Sequence, residues 1–106
     1  MQDAPFTLFE PVHRSSCVVF ATPHSGRHYA PEFLAQSVLD SHAIRASEDA
    51  FVDHLFEPAV QFGAPLLVAN APRAYVDLNR ACDELDPAVI EGVKSLGVSA
   101  RIASGL

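Results

Sequence analysis

Ser16-Cys17-Val18-Val19-Phe20-Ala21, followed at once by Thr22-Pro23-His24-Ser25-Gly26-Arg27-His28, is an apolar run that breaks into a polar loop carrying one glycine. A short, continuous run of this kind fits a strand covered on both faces, as in a parallel sheet. Pro23 ends it, and the loop then lies at the strand's C-terminal end, where open α/β sheets gather their ligands. A second run, Pro65-Leu66-Leu67-Val68-Ala69-Asn70, has the same character. Helical patterns separate the two. The order strand, helices, strand predicts a right-handed crossover and a parallel pair. The expected fold is therefore α/β, a partial mixed or parallel sheet flanked by helices.

Between the strands, Pro31 can open a short helix with Phe33, Leu34, Val38 and Leu39 as its apolar stripe. A loop runs from Ser41 to Ser47. Ser47 then fits an N-cap, with Glu48 and Asp49 in the first turn where the helix dipole favours negative charge. Val52, Leu55, Phe56, Ala59 and Val60 fall on one helical face. Pro58 should kink or divide this helix, and Gly63 should stop it. Residues 1–14 form a lead-in with room for a short edge strand. Ala74–Leu78 can extend briefly, 79–86 is a polar loop, and Pro87 can open a short helix to Glu91. The tail from Gly92 to Leu106 contributes no closing element. Two or three strands make a poor parallel sheet alone, so 1–106 is expected to be a single, incomplete domain.

The 106 residues suit one domain, and 49% hydrophobic against 19% charged residues is a globular composition. With 13 acidic and 7 basic residues the net charge is −6, which argues against non-specific nucleic-acid binding. No apolar run approaches the roughly 18 residues of a membrane helix. The first ten residues carry Asp3, Pro5 and Glu10 and lack a basic start, unlike a signal peptide. Cys17 and Cys82 have no metal or redox spacing, and Cys17 is expected to be a buried small hydrophobe. The expected compartment is cytoplasmic.

Three stretches carry candidate chemistry. His24, just past a strand, sits where a metal ligand or general base is well supported; a loop histidine that merely bonds its neighbours is the ordinary alternative. Glu48 and Asp49 could ligate a metal beside it, although helix capping alone accounts for both. Zinc accepts histidine nitrogen and carboxylate oxygen, and a catalytic site has three protein ligands and a water. His24 with Glu48 or Asp49 supplies two; His13, His42 and His54 follow no strand. Arg73 and Arg80, flanking Asn79, could clamp a carboxylate; surface arginines paired with Asp77 or Glu84 are the alternative. No nucleophile elbow and no phosphate loop exists.

Taken together, Pro23-His24-Ser25-Gly26-Arg27 with Tyr29 and Pro31, Glu48-Asp49-Ala50-Phe51-Val52-Asp53, Gly63-Ala64-Pro65-Leu66-Leu67, Arg73-Ala74-Tyr75-Val76-Asp77-Leu78-Asn79-Arg80 and Glu84-Leu85-Asp86-Pro87 resemble the N-formylglutamate amidohydrolase family in order and spacing. The likeness runs from about Cys17 to the last residue. It implies a fold similar to the zinc exopeptidases (phosphorylase/hydrolase-like). The implied reaction is hydrolysis of N-formyl-L-glutamate to L-glutamate and formate, a step of histidine degradation. By this likeness His24 and Asp49 would be metal ligands, with zinc as the expected divalent ion. Glu48 would be the catalytic base or a second-choice ligand, and Arg73, Asn79 and Arg80 would bind the substrate carboxylates.

Family members extend further, so the third ligand is expected on a later histidine-bearing segment. The rival readings are a non-catalytic fragment or binding module of the same fold, and a related zinc-dependent amidase of another N-acyl amino acid. The expected partner is a small N-acyl amino acid, with no nucleic acid and no membrane; self-association through an uncovered sheet edge is expected for the fragment.

Overall fold

Leu66 and Val68 are buried while Leu67 between them is exposed, the alternation of a strand with one face covered. The computed structural model describes residues 4–85, 87 and 90–92. It contains strands β1 (Phe6–Phe9), β2 (Phe20–Thr22) and β3 (Leu66–Ala69), helices α1 (Pro31–Gln36) and α2 (Val52–Phe56), and 3-10 turns at Ala43–Arg45 and Glu57–Phe62. The sheet order is β1-β3-β2, with β1 antiparallel and β2 parallel to the central β3. The fold is thus small α/β with a three-stranded mixed sheet, and the lead-in does supply an edge strand.

The register divides the sheet into two unlike faces. Phe9, Leu66 and Phe20 align on one face, as do Thr7, Val68 and Thr22. Leu8, Leu67 and Ala21 align on the other, with Phe6 opposite Ala69. Phe56 of α2 covers the first face, its ring centroid 5.6 Å from that of Phe20. On the second face Phe6, Leu8 and Leu67 all remain exposed. Pro65 sits just before β3, where its missing N–H is harmless. Its carbonyl accepts from Phe20 N–H at 2.9 Å.

β2 is shorter than its apolar run. Ser15 and Ser16 N–H both donate to Gly63 O, and Val18 N–H donates to Ser16 Oγ at 3.1 Å. This local side-chain bond bends the chain away from the ladder. Cys17, expected to be buried, is exposed, as are Val18 and Val19.

The long helix also differs from expectation. It starts at Val52, behind Phe51 in the left-handed region (φ 62°), with no side-chain cap, so Ser47 is not its N-cap. The amides that would have opened it are used earlier. Asp40 Oδ1 accepts from His42 and Ala43 N–H, a 3-10 turn anchored by buried Ile44 follows, and Glu48 N–H donates to Arg45 O. Glu48 and Asp49 therefore lie in a turn, not a helix mouth. Pro58 does divide the helix: α2 ends at Phe56 and the 3-10 turn takes over. Gly63 does end it, at φ 80°. A Cβ there would lie 1.9 Å from Ser15 Oγ and 2.9 Å from Ser15 N, so the position requires glycine twice over.

α1 starts at Pro31, but Val38 and Leu39 lie past its end and are exposed. Phe33 anchors it instead, edge-on to Tyr75 at 5.2 Å. Ala74–Leu78 forms no strand, because Tyr75 and Val76 N–H both turn back to Pro72 O. The expected helix at Pro87 and the tail beyond Gly92 lie outside the described residues. Among the described residues no helix is long and apolar enough to cross a membrane.

Leu66, fully buried at the centre of the sheet, should be the most costly truncation. Leu66→Ala is expected to lose about 2–5 kcal/mol, and Leu67→Ala on the open face about 1 kcal/mol or less. Urea unfolding of the two variants measures the contrast.

Candidate active site

β2 runs directly into Thr22-Pro23-His24-Ser25, which carries His24 to the C-terminal end of the sheet. Gly26 makes this possible: a Cβ there would lie 2.0 Å from Ala71 O and 2.7 Å from Asn70 O. The loop is pressed backbone to backbone against the segment leaving β3, and His28 N–H donates to Asn70 O at 3.1 Å. His24 is buried. Its carbonyl accepts from Asp49 N–H at 2.9 Å, so the turn at Asp49 docks on the His24 backbone as well as beside its ring.

The imidazole lies between two carboxylates. Nδ1 is 3.8 Å from Asp49 Oδ2, and Nε2 is 3.1 Å from Asp77 Oδ1. The Asp77 contact is at ion-pair distance but off the donor line, so Nε2 has no hydrogen-bond partner among the described residues; neither do buried Thr22 Oγ1 and Ser25 Oγ. Three unpaired polar atoms at one strand exit are unusual, since buried polar atoms are nearly always bonded.

Asp77 is a junction. Its Oδ2 accepts from Arg73 Nε at 2.9 Å, and its Oδ1 accepts from Asn79 N–H at 2.9 Å. Desolvation by burial pushes its pKa up. The Asn79 amide, Arg73 and His24 together outweigh that, and the net shift is downward. The carboxylate is therefore held ionised beside His24.

Of the residues singled out from sequence, His24 and Asp49 are brought together. Arg73 and Asn79 join them through Asp77, and Arg80 Nη1 donates to Asn79 O at 3.2 Å. Glu48 is engaged elsewhere: Oε2 of its buried side chain accepts from Tyr29 OH at 2.9 Å and from Arg45 Nη1 at 3.2 Å. Arg45 also lies over the Tyr29 ring, 4.3 Å from its centroid. Burial raises the Tyr29 pKa first and the Glu48 carboxylate raises it further, against the lowering effect of Arg45, to about 12.

Sequence reasoning had Asp77 only as a partner for the arginines, and that pairing is present. Its contact with His24 was missed. The available signal was Asp-x-Asn two residues apart, the pattern of an Asx turn, which aims a carboxylate inward.

Two clefts, of about 370 and 890 Å³, flank the loop, but His24, Asp49 and Asp77 line neither. The side-chain geometry, not the cleft volume, marks the chemistry. Zinc–nitrogen and zinc–oxygen bonds sum to about 4.0–4.3 Å. One ion can thus touch both His24 Nδ1 and Asp49 Oδ2 across their 3.8 Å gap. Among the described residues, however, no three His, Cys, Asp or Glu side chains form a group that could hold a metal ion.

The family model for N-formylglutamate amidohydrolase matches residues 16–105. No curated protein matches the chain significantly. A crystal structure of N-formylglutamate amidohydrolase from Ralstonia eutropha JMP134 is similar to it at 38% identity and a TM-score of 0.75, over 92% of this chain and 35% of that one. The chain thus spans about a third of the length of that relative.

Two titrations follow from this geometry. The pKa of Asp77 is lowered on folding, so its contribution to stability is full above the ordinary 3.8 and is lost as pH falls through the lower folded value. Asp77→Asn should flatten the acid limb of stability measured by urea unfolding below pH 4. Tyr29, raised on folding, contributes stability that is complete below pH 10 and lost toward about 12. Its phenolate absorbance step should appear near pH 12 and vanish in Tyr29→Phe.

Proposed function

Because the chain belongs to the N-formylglutamate amidohydrolase family, we propose that it carries the first part of a metal-dependent site that hydrolyses N-formyl-L-glutamate to L-glutamate and formate. The observation that supports this best is the convergence of His24 Nδ1 and Asp49 Oδ2 at a strand exit lined with unpaired polar atoms. We take residues 1–106 as part of one domain of zinc-exopeptidase-like fold, a reading favoured by the parallel β2–β3 pair with His24 at its end.

His24 and Asp49 are the two donors proposed for the ion, and zinc suits a nitrogen and carboxylate set. With a small turn of the Asp77 carboxylate onto the donor line of Nε2, 3.1 Å away, it would accept a hydrogen bond from Nε2–H and keep the Nδ1 lone pair toward the ion; carboxylates behind ligating histidines commonly act this way. A divalent ion held by these residues would supply Lewis-acid polarisation of the formyl carbonyl and a water acidified toward about 7. Addition of water to the formyl carbon and cleavage of the C–N bond then give formate and the free amine of glutamate.

Arg73 grips Asp77 through Nε, which leaves its Nη edge for a substrate carboxylate. Asn79 and Arg80 on the same turn would hold the second carboxylate, turning binding energy into orientation. Glu48 is less well placed as the base, since Tyr29 and Arg45 would first have to release it. We assign it to holding the Asp49 turn, and the proton-accepting role to a group outside the described residues.

The test is formate release from N-formyl-L-glutamate by the protein, with and without a chelator. Activity is expected to disappear on metal removal, to return with Zn²⁺, and to be absent in His24→Ala. Asp77→Asn should lose about 10–100-fold. Full activity in chelator would refute the metal role. A preference for another N-acyl amino acid would leave the site and change the substrate.

A further inference from the structure

Arg27 lies three residues past His24, in the same loop, and Asp53 four residues past Asp49. Their side chains meet in a two-pronged pair, Nη1 to Oδ1 and Nη2 to Oδ2, each at 3.2 Å. The Asp53 carboxylate is largely buried, at 13% exposure. The same guanidinium covers the ring of Phe51, 5.4 Å from its centroid. Phe51 is the one non-glycine residue with positive φ among those described. Such a conformation is strained for a bulky residue and persists only where its surroundings enforce it. It also sets the direction in which the chain leaves Asp49 for α2, since Val52 N–H turns back to Asp49 O at 3.3 Å.

Arg27 is itself held in place. Its Nη2 lies 3.2 Å from His54 Nε2, and His54 Nδ1 lies 2.7 Å from Glu57 Oε1. A carboxylate only accepts and a guanidinium only donates, so the tautomer with its proton on Nδ1 satisfies both contacts. Glu57, His54, Arg27 and Asp53 form a chain that ties α2 to the loop carrying His24.

We propose that Arg27 and Asp53 are the positioning pair of the cation site. Their fork, closed over Phe51, fixes the left-handed turn and with it the distance between Asp49 Oδ2 and His24 Nδ1. Neither residue is among the proposed ligands of the ion. The pair acts through the turn, and a lysine at position 27 cannot replace it because an ammonium has no planar fork. The proposal rests on the reading of His24 and Asp49 as cation ligands.

The experiment measures Zn²⁺ affinity by competition with a chromophoric chelator. It compares the wild-type protein with Arg27→Lys, Asp53→Asn, the double variant and His24→Ala, each at a temperature where circular dichroism shows it folded. The His24 imidazole resonances are recorded in the metal-free protein as a second readout. Each single variant should weaken Zn²⁺ binding about 10–100-fold and shift the His24 resonances. The double variant should be no weaker than the singles, because the two residues act as one unit. A drop in unfolding midpoint with unchanged Zn²⁺ affinity and unchanged His24 resonances would make the pair merely structural and overturn the proposal. Binding lost in His24→Ala but retained in both single variants would overturn it alone. Wild-type binding no tighter than that of His24→Ala would overturn the cation site together with it.

Discussion

A carboxylate facing a buried imidazole organises the ligand end of this sheet. Asp77 reaches His24 from a segment that has no regular structure of its own. That contact, with the packing of Tyr75 against Phe33, holds the turn from Arg73 to Arg80 over the exit of β2. Desolvation works against a charged Asp77, and only the Arg73 side chain, the Asn79 amide and His24 reverse it. The carboxylate therefore stays ionised because two groups of its own turn and one from the exit of β2 converge on it. With few buried apolar side chains among the described residues, polar convergence of this kind carries much of the burden of uniqueness that a larger core would otherwise carry.

The presence of β2 and β3, their parallel pairing, the break at Pro58 and the stop at Gly63 were legible in the sequence; cover on both strand faces was not borne out, since Ala21 and Leu67 are exposed. The family was legible too, from motif order. Helix initiation was not. Ser47-Glu48-Asp49 has the composition of a helix start, yet the His24 carbonyl captures the Asp49 amide and the chain begins α2 only past a strained Phe51. That is a tertiary contact overriding a local preference. Ser16 to Val19 failed for a related reason: two amides drawn to the Gly63 carbonyl outcompeted the ladder.

The candidate site was half legible. His24 followed from its position after a strand, Asp49 was set apart from Glu48 only by the resemblance to the family, and the two side chains lie 3.8 Å apart. Glu48, adjacent to Asp49, points into a pair with Tyr29 and Arg45, which no spacing argument distinguishes from pointing at His24. Asp77, Arg27 and Asp53 were hidden because their partners lie 26 to 53 positions away along the chain. Separations of that order belong to topology and not to motif.

The close approach at Gly26 has a bearing on tolerance to mutation. Where two loops are fastened through peptide groups, with Ala71 and Asn70 carbonyls against a bare Cα, the fastening is indifferent to the identity of neighbouring side chains. Surrounding residues can drift in sequence while the histidine keeps its address on the scaffold. The fastening of these two loops is then vulnerable at Gly26 itself, a position at which even one added methyl group would pry them apart.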